Sequence, residues 1–278
     1  MKPKVSIILP SIRPQNLIKF YSSVLSACQK HLFEIIIPSP YLIPDDLLKS
    51  GNVTFIHTYA SPTISFMQGS SLAKGEFIYN VTDDGLLQND VLDIVIKSFD
   101  SEYTLTDKDI INLVYIEDVL DVNTLELKKE PKRFPEHYWI AGAYSEYNKP
   151  AINPQWNLAP HFFMRREYFE YLGGLDCGFE YLNYNLHDLV FRAQENGSTV
   201  YQTPFTCFLC SHLPNTSGDH GPIDEAHNNV DVPRFNTIYS KEDAVSSRIR
   251  LDINDWKNRP SIWDKRFSNK SNLPLYPK

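Results

Sequence analysis

The feature that most constrains this fold is an alternation of short, mostly apolar segments with longer amphipathic ones. The apolar segments are rich in β-branched residues and lie at residues 5–9, 33–37, 53–56 and 76–81. The segments between and after them carry apolar residues at helical spacing, over residues 15–31, 63–74 and 88–99. Strands that alternate with helices predict an α/β fold with a mostly parallel sheet flanked by helices.

The strand ends indicate where a ligand would bind. Such sheets bind ligands beyond the carboxyl ends of their strands. Pro10, Pro38 and the pair Asp83-Asp84 all follow apolar segments. We therefore expect three loops to meet in one crevice.

The second half of the chain is less regular. We predict strands at 110–116 and 162–164, an exposed hairpin or loop at 125–135, and a helix at 186–196. Residues 213–237 are rich in Pro, Asn, Asp, Gly and His, which predicts a long loop, either a lid or a permanently packed surface loop. We expect one domain over residues 1–240, with a helical and extended tail at 241–278 packed on it.

Composition excludes several classes of protein. The net charge is −7, whereas binding to nucleic acid or to an anionic membrane requires a basic surface. Four cysteines are too few for a disulfide scaffold in 278 residues. We find no signal-peptide apolar region and no apolar run of spanning length. We therefore expect a cytoplasmic protein, with peripheral attachment to the inner face of a membrane as an alternative.

Asp83 and Asp84 are the strongest local signal for chemistry. Two adjacent carboxylates repel each other unless a cation lies between or beside them. Mg²⁺ binds through one or two carboxylates together with phosphate oxygens, and Mn²⁺ accepts similar ligands. The alternative is an Asp-Asp-Gly turn with no metal.

Three further side chains are candidates. Ser11 and Arg13 follow the first strand, where a hydroxyl and a guanidinium suit a nucleotide, although an ordinary loop gives the same pattern. Asp188 falls in the first turn of the predicted helix at 186–196, where a carboxylate stays ionised and can act as a general base. It could equally cap that helix and pair with Arg192.

His212 follows a strand-like segment and could reach a cation at Asp84. Cys207, Cys210, His212 and His220 could instead form a zinc site, but two buried strand cysteines explain the Cys-x-x-Cys spacing more simply.

Four motifs, taken together, resemble family 2 glycosyltransferases with the GT-A fold. They are the strand and loop ending in Pro10-Ser11-Ile12-Arg13, the strand Gly75-Glu76-Phe77-Ile78 leading to Asp83-Asp84, the turn Gly173-Gly174-Leu175-Asp176, and Asp188 with Arg192 and Gly197. The resemblance extends over about residues 3–212. It implies a Rossmann-like nucleotide-diphospho-sugar transferase fold.

The resemblance also implies a chemistry. It suggests inverting transfer of a sugar from a nucleotide-diphosphate donor, with a UDP-sugar favoured, to a glycan or lipid-linked glycan. Mn²⁺ or Mg²⁺ would stabilise the leaving diphosphate. By this analogy the nucleotide-sugar site contains Pro10, Ser11, Arg13, Asp83 and Asp84, the metal ligands are Asp84 and His212, and the base is Asp188.

The sequence departs from the family pattern at three places. Pro38-Ser39-Pro40 replaces the acidic residues that usually meet the nucleobase, and Val81 replaces an Asp of the metal motif. Asn185 and Leu186 replace the usual catalytic Glu-Asp pair. Glu180 and His187 are therefore alternatives to Asp188.

Two other functions stay open. A non-catalytic nucleotide- or sugar-binding homologue would keep the fold and lose the base. A nucleotidyltransferase usually has a Gly-rich phosphate loop after the first strand, whereas residues 11–14 contain no Gly.

Overall fold

The computed structural model describes residues 2–100, 105–121, 123–129, 141–142, 147–211 and 220–268. Its strands are β1 (Val5–Ile8), β2 (Phe33–Ser39), β3 (Val53–His57), β4 (Phe77–Asn80), β5 (Gly85–Leu87), β6 (Ile110–Asn112), β7 (Tyr115–Ile116), β8 (Phe162–Arg165), β9 (Val200–Gln202) and β10 (Phe208–Cys210). Its α-helices are α1 (Leu17–Ala27), α2 (Asp45–Leu48), α3 (Pro62–Ser70), α4 (Val91–Asp100), α5 (Arg166–Tyr171), α6 (Leu182–Glu195), α7 (Gly221–Ala226), α8 (Val232–Ile238) and α9 (Asp264–Phe267).

Seven strands form the main sheet in the order β3-β2-β1-β4-β8-β6-β9. Neighbouring strands are parallel except where β8 pairs antiparallel with β4 and with β6. The fold class predicted from the sequence, a mostly parallel sheet flanked by helices, is confirmed.

The central strands are buried on both faces, which explains their mostly apolar sequences. All four residues of β1 are buried, and Ile7 lies opposite Ile35 of β2 and Tyr79 of β4. Helices α1 and α4 contribute to the core on one face, and α3, α5 and α6 contribute to the core on the other. The sheet is therefore a rigid support for the loops at its carboxyl edge.

A second, three-stranded sheet has the order β5-β10-β7. The single strand predicted at 110–116 is wrong, because the chain passes from β6 in the main sheet to β7 in the small one. Between them, the Leu113 amide donates to the His161 carbonyl oxygen, and the Val114 carbonyl oxygen accepts from the Cys207 amide. The small sheet places β10 and the chain that follows it beside the loop after β4.

The long loop predicted at 213–237 is wrong over residues 221–237. The chain there forms α7, a π-helical segment (His227–Asp231) and α8. Pro222 and Pro233 lie within the first two positions of α7 and α8, where a missing amide hydrogen costs nothing. Ala226 and Phe235 are buried. Residues 213–219 lie outside the described residues.

Helix α6 begins at Leu182, four residues before the predicted start, so Asp188 lies inside the helix and not in its first turn. Its side chain is fully buried, and both oxygens are engaged. Oδ2 accepts from Arg192 Nε at 2.7 Å, while Oδ1 accepts from Arg248 Nη1 at 2.8 Å and from the Tyr239 hydroxyl at 2.9 Å. Burial alone would raise the pKa of Asp188, but the two guanidinium groups hold that pKa below its usual range.

Arg192 extends this network to the glycine turn before α6. Its Nη1 donates to the Leu172 carbonyl oxygen at 2.7 Å, and its Nη2 to that of Gly174 at 2.6 Å. Gly173 and Gly174 both have positive φ, which favours glycine at these two positions. The resembling motif of Asp188, Arg192 and the glycines thus forms a buried network, and the base role that the resemblance implies for Asp188 stays a prediction.

We predict that Asp188→Asn lowers the free energy of unfolding by about 3 kcal/mol, because removing one member of a buried ion pair leaves the other charge without full compensation. Asp255→Asn is the matched control, since Asp255 and Arg259 form the same i,i+4 pair on the surface. Loss of this surface pair should lower the free energy of unfolding by less than about 0.5 kcal/mol. Chemical denaturation measures both values, and equal small losses would contradict the structural role.

Candidate functional site

A cavity opens at the carboxyl edge of the main sheet. One side is formed by the loops after three strands, and this confirms the convergence predicted from the sequence. The opposite side is formed by the start of α6, by α7 and by the C-terminal segment. The lining residues are Pro10, Ser11, Ile12, Arg13, Pro38, Pro40, Ala60, Pro62, Ser65, Val81, Thr82, Asp83, Asp84, Tyr181, Leu182, His220, Ile223, Trp263, Arg266 and Phe267.

Asp83 joins the loop after β4 to the loop after β1. Its Oδ2 accepts from the Ser11 hydroxyl at 2.9 Å and from the amides of Ile12 and Arg13 at 2.9 and 3.0 Å. Its Oδ1 accepts from Arg13 Nη1 at 2.6 Å. The Asp83 side chain is only 6% exposed. With these bonds in place, Asp83 orders the cavity wall and has little capacity left for a cation.

Asp84 is placed differently from its neighbour. It lines the cavity, and its Oδ1 is buried without a hydrogen-bond partner among the described residues. A buried carboxylate oxygen without a partner is costly. The two adjacent carboxylates thus differ in their partners. Asp83 forms an ion pair with Arg13, whereas Asp84 keeps a buried oxygen that a ligand could contact.

The start of the segment that contains His212 lies close to Asp84. The Ser211 amide donates to the Asp84 carbonyl oxygen at 2.9 Å, and the buried Ser211 hydroxyl has no partner within the described part of the chain. His212 itself lies outside the described residues, so its role as a metal ligand stays a prediction. Cys207 and Cys210 are buried, with their sulfurs near the Thr203 hydroxyl and the Ile116 carbonyl oxygen.

The described residues contain no cluster of three or more His, Cys, Asp or Glu side chains that could hold a metal ion. Of the buried carboxylate oxygens in the described part of the chain, Asp84 Oδ1 is the one without a hydrogen-bond partner. This arrangement fits a cation such as Mg²⁺, which takes one or two protein carboxylates and completes its coordination with phosphate and water.

Tyr181 lines the same cavity as Asp84. Burial first, and then the charges of Asp84, Asp224, Asp231 and Glu117, raise the pKa of Tyr181 to about 12. The carboxylates around Tyr181 give this part of the cavity a negative potential that would favour a cation.

Asp231 holds the backbone that carries Tyr181. Its two carboxylate oxygens accept from the amides of Glu180 and Tyr181, each at 2.9 Å. Asp231 is fully buried at the end of the π-helical segment, and such segments are frequent at functional sites. Burial raises the pKa of Asp231 to about 6, against the lowering effect of the two amides.

The C-terminal segment forms a wall that sequence reasoning missed. Residue Ile262 bridges Tyr59, and the Trp263 amide donates to the Tyr59 carbonyl oxygen at 2.8 Å. Glu180 accepts from Trp263 Nε1 at 2.9 Å and pairs with Lys265 Nζ, also at 2.9 Å. The signal available in the sequence was an aromatic residue beside two cations in an otherwise polar tail.

None of the three candidate bases lies at the cavity. Glu180 is engaged by Trp263 and Lys265. His187 is buried and hydrogen-bonded to the Tyr147 hydroxyl at 2.7 Å, and burial lowers its pKa to about 3. Asp188 lies in the network described above. The structure brings together Pro10, Ser11, Arg13, Asp83 and Asp84, but not these three side chains.

The fold has counterparts among solved structures, whereas the sequence matches no protein-family model and no curated protein. The architecture is the GT-A-like one that the sequence motifs imply. The crystal structure of residues 1–349 of S. aureus TarS matches it with a TM-score of 0.50 and 12% sequence identity. The match covers 97% of this chain and 73% of the TarS chain. Within the described residues, no helix is both long and apolar enough to cross a membrane.

We predict that Asp231 makes stability depend on pH. Its folded-state pKa of about 6 lies above the ordinary value of 3.8, so between these values the folded protein binds a proton that the unfolded chain releases. The stability of the wild type relative to Asp231→Asn should therefore fall as pH rises from about 4 to about 6, by at most about 1.4 kcal/mol per pH unit, and level off above. Denaturant unfolding of both proteins across this pH range measures their difference in stability. A difference that does not change with pH would contradict the prediction.

Proposed function

We propose that this protein is a glycosyltransferase that takes a nucleotide-diphosphate sugar as its donor. The observation that carries the proposal is the division between Asp83 and Asp84. One carboxylate orders the loop after β1 through four hydrogen bonds, and the other presents an unpartnered buried oxygen to the same cavity.

The fold supports the same conclusion. TarS, with which the chain shares its fold, is a staphylococcal wall teichoic acid glycosyltransferase. The match extends over nearly the whole of this chain, so the cavity-forming loops lie within the shared region.

The cavity offers separate regions for the parts of such a donor. Pro10, Pro38, Pro40 and Pro62 give the cavity an apolar surface suited to a flat nucleobase. Asp84 lies at the far end of the loop after β4, where the diphosphate would meet it. We propose a UDP-sugar as the favoured donor and a glycan or lipid-linked glycan as the acceptor.

Asp84 would hold Mg²⁺ or Mn²⁺, and His212 would be a second ligand from the segment that follows Ser211. The cation, when bound, would stabilise the negative charge of the leaving diphosphate as a Lewis acid. The protein's own residues would shape the site: Asp83 and Arg13 keep the loop after β1 in place, and Tyr181 lines the cavity with Asp84. Attack by an acceptor hydroxyl on the anomeric carbon would break the bond to the diphosphate and invert the configuration, and the hydroxyl proton would pass to the departing diphosphate or to solvent.

A second candidate is a non-catalytic protein that binds a nucleotide sugar. The observation that favours it is that Asn185 and Leu186, neither of them acidic, occupy the positions of the family's catalytic acidic pair. Both are buried, and the Asn185 amide group bonds to Asp176 and Thr63. The described part of α6 therefore supplies no base to the cavity.

We predict that Asp84→Asn removes the cation dependence of nucleoside diphosphate binding. The unpartnered oxygen is a hard ligand in the wild type, and its replacement by an amide should weaken binding of UDP with Mn²⁺ by about 10-fold or more. Asp264→Asn, at an exposed aspartate on the wall formed by α9, is the matched control and should bind like the wild type. Calorimetry with and without Mn²⁺ measures this. Equal binding by wild type and Asp84→Asn would overturn the cation assignment.

The release of nucleoside diphosphate from nucleotide sugars separates the two candidate functions. An enzyme releases it on hydrolysis or transfer, at a rate that Mn²⁺ increases and Asp84→Asn abolishes. A binding protein shows cation-dependent binding of the same sugar nucleotide without release.

A further inference from the structure

Two buried oxygens without hydrogen-bond partners lie where the small sheet meets the loop after β4. They are Asp84 Oδ1 and the Ser211 hydroxyl oxygen, and neither has a partner among the described residues. Ser211 is fully buried. A buried polar group without a partner is costly, so two such groups on neighbouring segments indicate that something absent from the bare protein satisfies them.

The register of β5 and β10 makes Asp84 and Ser211 direct neighbours. The two strands pair antiparallel, with Cys210 opposite Gly85. One residue further along, the Ser211 amide donates to the Asp84 carbonyl oxygen at 2.9 Å, so the same register continues to this pair. Directly opposite residues of an antiparallel pair have their Cβ atoms about 4.5–5.5 Å apart on the same face. The two side chains are therefore within reach of one shared ligand.

The unpartnered hydroxyl is particular to Ser211. Among the described residues, it is the one buried serine whose hydroxyl is buried without a hydrogen-bond partner. Two serines that line the cavity have partners within the protein, since Ser11 donates to Asp83 and Ser65 donates to the Ala60 carbonyl oxygen. The unsatisfied serine is thus the one that lies opposite Asp84.

The chemistry of the two oxygens indicates what would satisfy both. A serine hydroxyl can donate to a carboxylate, but Ser211 and Asp84 do not form this bond. Carboxylate oxygens bind Mg²⁺, and serine or threonine hydroxyls bind it in other nucleotide sites. A hard cation would therefore engage both oxygens at once. A bridging water is the alternative, and it would not make cation binding depend on Ser211.

We propose that the Ser211 hydroxyl is a further protein ligand of the cation that Asp84 binds. This inference rests on the proposed function and deepens it, because it gives the cation a neutral oxygen from the segment after β10 beside the anionic oxygen of Asp84. Asp84 lines the cavity and the buried Ser211 does not. Ser211 would thus hold the cation from within the protein, while diphosphate oxygens and water would bind it from the cavity.

The test compares Ser211→Ala and Ser211→Cys with the same two substitutions at Ser198. Ser198 is a matched control because it is also buried, precedes β9, and has a satisfied hydroxyl that donates to the Tyr168 hydroxyl at 2.8 Å. Calorimetry measures the binding of Mn²⁺ and of Cd²⁺ to each protein, with and without UDP. Chemical denaturation measures the free energy of unfolding in the absence of a cation.

The two substitutions at Ser211 should have different signatures. Ser211→Ala should weaken Mn²⁺ binding about 10-fold without lowering the free energy of unfolding, since the hydroxyl that it removes has no partner. Ser211→Cys should weaken Mn²⁺ binding and strengthen Cd²⁺ binding, each about 10-fold, because a thiolate is a soft ligand. Ser198→Ala should lower the free energy of unfolding, and neither Ser198 variant should change the affinity for Mn²⁺ or Cd²⁺.

The outcomes separate this assignment from the proposed function. If Ser211→Ala binds Mn²⁺ as the wild type does, the assignment is overturned, while UDP binding that still requires Mn²⁺ supports the proposed function. If Ser211→Ala loses both Mn²⁺ affinity and stability, and Ser211→Cys gains no Cd²⁺ affinity, Ser211 is a structural residue and the assignment is again overturned. If the wild type binds Mn²⁺ through Ser211 but binds no UDP, the assignment stands and the proposed function fails. If it binds UDP but no Mn²⁺, the assignment is overturned while donor binding stands.

Discussion

The cavity depends on one carboxylate, that of Asp83. Its four bonds to the loop after β1 come from one hydroxyl, two amides and one guanidinium, which satisfy a buried charge that would otherwise be costly. These bonds fix two loops whose strands are adjacent and parallel in the sheet. Once Asp83 is neutralised in this way, Asp84 can keep its own charge for a ligand without facing a second uncompensated carboxylate.

The other walls depend on contacts across the whole chain. Asp231 holds the amides of Glu180 and Tyr181, and Glu180 in turn holds Trp263 and Lys265. The π-helical segment, the start of α6 and α9 are therefore linked in series. A disturbance at Asp231 would be expected to reach the C-terminal wall through Glu180, and this linkage explains how a cavity can be assembled from segments that are distant in sequence.

The sheet and one side of the cavity could be predicted from the sequence because they are encoded locally. Apolar strands such as residues 5–9, and the Pro and Asp residues that follow them, predict both a mostly parallel sheet and a crevice at the strand ends. Pro10, Ser11, Arg13, Asp83 and Asp84 lie where their positions in sequence indicated. The difference between Asp83, which is hydrogen-bonded, and Asp84, which has an unpartnered oxygen, could not be predicted. It depends on which carboxylate reaches the amides of Ile12 and Arg13.

The sequence does not predict the features that tertiary contacts decide. Asp188 has the spacing to Arg192 of the family motif, but that spacing cannot show that Tyr239 and Arg248 enclose the carboxylate from a distant segment. The polar composition of residues 221–237 concealed the anchors Ala226 and Phe235, which become buried only when α7 and α8 pack. Trp263 and Arg266 were missed because tail residues carry no periodic pattern that places them near the sheet edge.

The central claim is that Asp84 and the cavity around it hold a cation together with a nucleoside diphosphate. A crystal structure of the protein grown with UDP and Mn²⁺ tests it most directly, because the anomalous signal of manganese locates the ion independently of the ligand. We expect one manganese peak in direct contact with Asp84 Oδ1 and with the diphosphate oxygens, while Asp83 keeps its bonds to Ser11 and Arg13. A nucleotide bound outside this cavity, or a manganese ion bound by Asp83 with the loop after β1 displaced, would contradict it.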